Sequence, residues 1–323
     1  MAVSVRVPPV TWLLLAVVLI SGCASQPPWP ADVPSSGRPV LVSDVPFYPQ
    51  EQYQCGPASL AMMLNSQGIG TQPQALVDRV YLPDRQGTLQ IEMVATARQA
   101  GLLVYRLAPA LSAVLKELQA GHPVLVFQNL RFNWWPQWHY AVMIGFDARQ
   151  QELILHSGTR AHYRQPVAAF MTTWDRAERW AVTMLPPDEL PATATPLPFL
   201  SSAHDLEATG QLEAAARAYR TAYERWPDQP AARLGAGNVA YAQQHWQEAT
   251  EHYRTLTQDF PQLAAGWNNL GEALTQLDCP VAATAARQCA THLQPQRFPP
   301  PPAINTGTPN PHCPVIRCPE PSR

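Results

Sequence analysis

Between residues 40 and 187 the hydrophobic positions follow two different periods. Leu60, Met63 and Leu64 share one helical face, and helical patterns over Gln74 to Tyr81, Leu89 to Ala100 and Leu111 to Ala120 close with turn residues. Gly68, Gly101 and Gly121 stand where helix C-caps belong. Alternating or fully apolar runs over Leu102 to Leu107, Val124 to Gln128, Tyr140 to Phe146, Glu152 to Leu155 and Trp180 to Met184 predict strands. Helices followed by an antiparallel sheet make this segment α+β. Beyond Pro198 the strand pattern stops and only helical character remains. There Pro227, Pro261 and Pro295 recur every 34 residues, and Ala215, Ala249 and Ala283 keep the same offset, as do Tyr219 and Tyr253.

A 34-residue period, with Trp267, Leu270 and Gly271 added in the third unit, resembles the tetratricopeptide repeat. The resemblance implies about three stacked helix pairs over residues 199–297, all α. Small residues let the two helices of a pair approach, the tyrosines fill the groove to the next unit, and proline ends the second helix. The edges depart from the pattern: Phe199, Ser202 and Ala203 stand in the first unit where Trp, Leu and Gly are preferred, and Arg287 replaces an aromatic in the third. Recognition of a protein partner is the usual task of such an array.

Proline marks the joints: the chain has 35 in 323 residues, about twice the usual share. A cluster over residues 23–39 reads as a tether, a second over 188–198 as a linker, and a third from Phe298 onward predicts an extended or disordered tail over 298–323. Charged residues are only 14% of the chain and the net charge is -2, so a nucleic-acid-binding surface is not expected. The apolar run Trp12 to Ile20, after Arg6, is too short to span a bilayer and reads as a signal peptide over residues 1–22. It closes with Leu19-Ile20-Ser21-Gly22-Cys23, which resembles the lipobox of bacterial lipoproteins. That implies lipidation of Cys23, a membrane anchor, and a cell-envelope protein facing the periplasm. Ala24 in place of aspartate favours the outer membrane.

An exported chain permits disulfides, and two local bridges are expected among Cys279, Cys289, Cys313 and Cys318. Their spacing does not suit zinc, His156 and His162 lack further ligands nearby, and neither a metal nor a cofactor is expected. Cys55 is left as the unpaired thiol. It is followed by Gly56-Pro57-Ala58-Ser59-Leu60, so it sits where a helix begins. There the helix dipole and free N–H groups favour a thiolate and can hold an oxyanion. His139 opens a strand after Trp134, Trp135 and Trp138 and is the candidate base; Trp135 and Trp138 are candidates to line a substrate groove.

The Cys55 and His139 segments resemble the papain-like cysteine peptidases and, more closely, the bacteriocin-leader-processing (double-glycine) peptidase family, over about residues 40–187. The resemblance implies an α+β papain-like domain and a thioester at Cys55. It further implies an oxyanion-hole glutamine, for which Gln50 is the match and Gln54 the fallback. The family's orienting aspartate or asparagine falls at Ser157, which offers a hydrogen bond but no charge; Asp147 lies too near the hairpin turn, and His156 points to the opposite face. The reading is a membrane-anchored cysteine peptidase acting on a peptide or isopeptide bond, its repeats recruiting substrate or partner. The alternatives are acyl or amide transfer by the same pair, and a weak or inactive papain-like domain serving as a binding scaffold.

Overall fold

The computed structural model describes residues 29–34, 37–50, 55–302 and 312–320. The expected signal peptide, Cys23 and Gln54 lie outside the described residues. The first unit runs β1 (Val40–Leu41), α1 (Cys55–Ser66), α2 (Pro73–Val80), α3 (Gln90–Gln99), β2 (Leu103–Arg106), α4 (Leu111–Gln119), β3 (Val124–Asn129), β4 (Trp138–Asp147), β5 (Glu152–Ser157), β6 (Arg160–Pro166), α5 (Val167–Asp175) and β7 (Ala181–Leu185). All strand pairs are antiparallel in one sheet ordered β2-β7-β3-β4-β5-β6, with β1 added beside β4. At Gly145, a Cβ would stand 2.2 Å from the Val40 carbonyl oxygen, so β1 closes on β4 only because that position is glycine.

Alternation along the strands feeds two cores. Leu125, Val142, Ile144 and Ile154 pack with Leu60, Met62 and Met63 of α1, all buried. The other parity, Val126, Ala141, Met143 and Leu155, packs with Val114 and Leu118 of α4 and Phe170 and Trp174 of α5. Covering both faces lets the residues of the central strands β3, β7 and most of β4 stabilise the fold from either side, at about 1.5–3 kcal/mol for each large apolar side chain fully buried.

Helices α6 (Pro196–Ala208), α7 (Leu212–Arg225), α8 (Pro230–Ala242), α9 (Trp246–Asp259), α10 (Ala264–Gln276) and α11 (Pro280–Leu293) form three successive pairs. Ala215, Ala249 and Ala283 are buried between helices, and Tyr219 and Tyr253 are buried as the period requires. The stem of Arg287 takes the equivalent place in the third pair. It lies on Gly271, where a Cβ would come within 2.7 Å of its Cγ, and its guanidinium donates to Glu272 at 3.1 Å and Thr275 at 2.8 Å.

The repeats do not hang from a loose linker. Phe199 is fully buried in the same core as the α4 side of the sheet, Ser202 Oγ donates to the Val104 carbonyl at 3.0 Å, and Arg98 is ion-paired with Asp205. The connecting segment is latched by the buried carboxylate of Glu117. It accepts from Ala192 N at 3.0 Å, Thr193 N at 2.8 Å and Thr193 Oγ1 at 2.6 Å, while His122 stands 2.7 Å away.

One expectation is corrected at the C-terminal end. The disulfides are not local: they join Cys279 to Cys313 and Cys289 to Cys318, each linking the third helix pair to the tail. Residues 312–320 are extended and pinned, with Cys313 and Ile316 packed against the last repeat's core. A sequence shows which cysteines exist; which ones meet depends on where the proline-rich tail folds back.

Candidate active site

Cys55 is the first residue of α1, where helix N–H groups have no carbonyl of the same helix to serve. Pro57 needs no such partner and presets the helical angle. Gly56 is required for a different reason: a Cβ there would stand 2.2 Å from Thr88 Oγ1, so glycine alone lets the 86–90 segment close against the helix start. Tyr140, buried on β4, holds that segment by donating from its hydroxyl to the Thr88 carbonyl at 3.2 Å. Thr88 Oγ1 is buried with no partner among the described residues.

His139 lies one residue before Tyr140 on β4, paired in register with Gln128 of β3. Ser157 ends β5, on the same face by the two-residue alternation. The two meet: His139 Nε2 is 2.9 Å from Ser157 Oγ. His156 turns to the other face, its Nε2 3.1 Å from the Val45 carbonyl and its Nδ1 accepting the His162 N–H at 3.2 Å. Asp147 caps the β4–β5 turn, accepting from Arg149 N at 3.1 Å and Gln150 N at 3.3 Å, and takes no part in the cleft.

Burial pushes the Cys55 thiol above its ordinary value, although backbone N–H groups of Tyr140, Gly56 and Cys55 hydrogen-bond the sulfur and pull the other way. Burial also lowers His139 to about 4. The resting pair is therefore neutral thiol and neutral imidazole. This corrects the expectation of a ready thiolate: the helix start supplies N–H donors, and loss of water outweighs them.

Gln50 is buried in the same cleft, and its amide is engaged. Nε2 donates to Ser59 Oγ at 3.2 Å and the Tyr140 carbonyl at 3.4 Å, and Oε1 accepts from Gly158 N at 3.2 Å. An N–H donor on one side and a carbonyl on the other fix which way the amide faces. Gln50 thereby ties α1, β4 and the end of β5 together around the cysteine.

The cleft holding Cys55 and His139 encloses about 1120 Å³. Trp135 and Trp138 line it, whereas Trp134 is 78% exposed and stacks on Phe132 outside. Trp138 stacks on Phe127 with ring centres 5.1 Å apart, which holds its plane against the cleft wall. Sequence reasoning missed Thr88, Arg106, Arg131, Arg176 and Trp180, which also line the cleft. They come from separate elements with no shared spacing. No three His, Cys, Asp or Glu side chains are grouped to hold a metal among the described residues.

Residues 42–182 match the Peptidase_C39 like family, and residues 200–264 and 234–288 match the tetratricopeptide repeat. The chain thus has a C39-like, papain-like peptidase domain of the α+β class followed by tetratricopeptide repeats. Among solved structures, a C39-like peptidase from Bacillus anthracis is 18% identical and covers 46% of this chain and 98% of its own, with a TM-score of 0.38. A double-glycine-motif protease from an AMS/PCAT transporter, in complex with the leader peptide, is 20% identical and covers 46% and 97%, with a TM-score of 0.31. The domain assignment rests on the family matches. Comparison with curated proteins gives no match.

Proposed function

We propose that the chain is a cysteine peptidase that hydrolyses a peptide or isopeptide bond through a thioester on Cys55. The observation that carries this reading is the meeting of His139 Nε2 and Ser157 Oγ at 2.9 Å, in the cleft where Cys55 begins α1. His139 takes the thiol proton as sulfur attacks the carbonyl carbon, and gives it to the departing amine as the C–N bond breaks. Water, activated by the same imidazole, then splits the thioester. Backbone N–H groups at the start of α1 face the developing oxyanion, with Thr88 Oγ1 as a further donor beside them. Gln50 reaches the oxyanion only by releasing Ser59 or the Tyr140 carbonyl. Ser157 holds the imidazole in place.

In this reading the tetratricopeptide repeats bring a protein partner or the substrate, and a lipid on Cys23 holds the protein in the cell envelope facing the periplasm. The test is hydrolysis of a peptide library by the full chain, with Cys55→Ala and His139→Ala alongside. Turnover that disappears in both variants, with a thioester trapped on Cys55 by mass spectrometry, supports the proposal. Turnover surviving Cys55→Ala sinks it.

A further inference from the structure

The cleft beside Cys55 is lined by four arginines, Arg85, Arg106, Arg131 and Arg176, and a single carboxylate, Glu178. The chain as a whole carries a net charge of -2, so this excess is local. None of the four forms an ion pair among the described residues. Three are held in place by other means. The Arg106 guanidinium lies over the Trp180 ring at 5.1 Å, and that of Arg131 over Trp135 at 5.7 Å. Arg131 Nε donates to Gln137 Oε1 at 2.8 Å, and Arg176 Nη1 donates to the Arg131 carbonyl at 2.5 Å. Burial lowers the pKa of Arg106, and only the charge of Glu178 opposes it. Arg106 ends β2 as an exposed residue, so its guanidinium is open to an anionic ligand and has no carboxylate paired with it among the described residues.

We infer that the site selects acidic peptides, taking up Asp or Glu side chains on Arg106, Arg131 and Arg176 while the backbone crosses Cys55. Guanidinium forks match carboxylates in pairs of hydrogen bonds, and the faces of Trp135 and Trp138 accept the apolar stems. A neutral peptide leaves these cations without partners, and a basic one is repelled. The inference rests on the peptidase reading above, but charge preference is measurable apart from cleavage.

The test has a binding arm and a cleavage arm. Full-length Cys55→Ala is titrated, by fluorescence anisotropy, into labelled peptide pools of equal length whose variable positions are Asp/Glu, Asn/Gln or Lys. The acidic pool is expected to bind about tenfold tighter than the neutral one at low salt, with the gap narrowing as ionic strength rises. Arg106→Gln and Arg131→Gln are each expected to shrink that ratio several-fold, whereas Arg149→Gln in the β4–β5 turn leaves it unchanged. Equal binding of acidic and neutral pools, or no binding by any pool, overturns the inference. So does competition by a sulfated glycan or single-stranded nucleic acid as effective as the acidic peptide, since the surface is then a general anion sink. The wild-type chain is then given the same pools. Tight acidic binding with no cleavage of any pool leaves the charge inference standing and removes the peptidase reading; equal cleavage of acidic and neutral pools does the reverse.

Discussion

Ser157 stands 2.9 Å from His139 Nε2 and brings a hydroxyl where a carboxylate would bring charge. A neutral neighbour orients the ring but does nothing to favour the imidazolium, and with burial acting alone His139 sits at about 4. In the proposed mechanism the base must be a neutral imidazole, so the acid limb of kcat/KM is expected near pH 4. Ser157→Asp supplies the missing charge, raises the histidine pKa and should move that limb to higher pH. Ser157→Ala should keep the limb low and reduce kcat/KM about tenfold, the equivalent of one lost hydrogen bond. A pH profile identical in all three proteins refutes this account of the pair. Cys55 gives a second check at the same scale. Its thiol is raised by burial, so iodoacetamide labelling of the free protein should climb only above the pH of an ordinary thiol. Fast labelling near neutrality, slowed by His139→Ala, shows instead a resting ion pair.

At the scale of elements, much was legible beforehand because it follows from local chemistry. Cys-Gly-Pro announces the start of α1, and period-two runs announce β3, β4 and β5. The segment β6 was not foreseen because Arg160–Pro166 is an edge strand of polar, largely exposed residues and has no apolar alternation to read. Helix α5 was missed although Val167, Phe170, Met171 and Trp174 keep helical spacing; the signal was present. The arginine cluster was illegible for a deeper reason, since its members meet only after β2, the β3–β4 hairpin and the end of α5 have been folded together. The linker's latch on α4 belongs here too. Burial would push the Glu117 carboxyl up, yet hydrogen bonds from His122, Thr193 and Ala192 hold it below its ordinary 4.5. Burial would likewise lower His122, yet Glu117 and Glu189 raise it above 6.5. The histidine's contribution is complete below pH 6.5 and lost as pH rises through the raised folded value. The carboxylate's is complete above 4.5 and lost as pH falls through the lowered one. The latch should therefore be strongest between about pH 4.5 and 6.5. The thermal midpoint of wild type relative to His122→Asn should be greatest there, and a difference independent of pH shows that the pair does not titrate with folding.

For the whole molecule, the repeats and the C39-like domain share one core, from Val126 and Met143 of the sheet through Phe199 and Leu206 to Tyr219. The period of 34 foretold the helix pairs but not this union, because no pattern within a segment says which other segment it will rest on. At the far end the disulfides close the last pair with the tail. In the chain-entropy view, closing loops of 34 and 29 residues contributes about 3.7 kcal/mol per bond by restricting the unfolded state. Reduction should therefore speed amide exchange in α11 while leaving exchange in α1 and β4 unchanged, and uniform loss of protection shows the cap to be part of one cooperative unit. The order of the bonds carries a consequence for the integrity of the chain. Cys279–Cys313 and Cys289–Cys318 interleave, so every peptide bond between residues 279 and 318 is bridged by at least one of them. A single backbone cut anywhere in that stretch releases no fragment: the nicked protein migrates as intact until it is reduced.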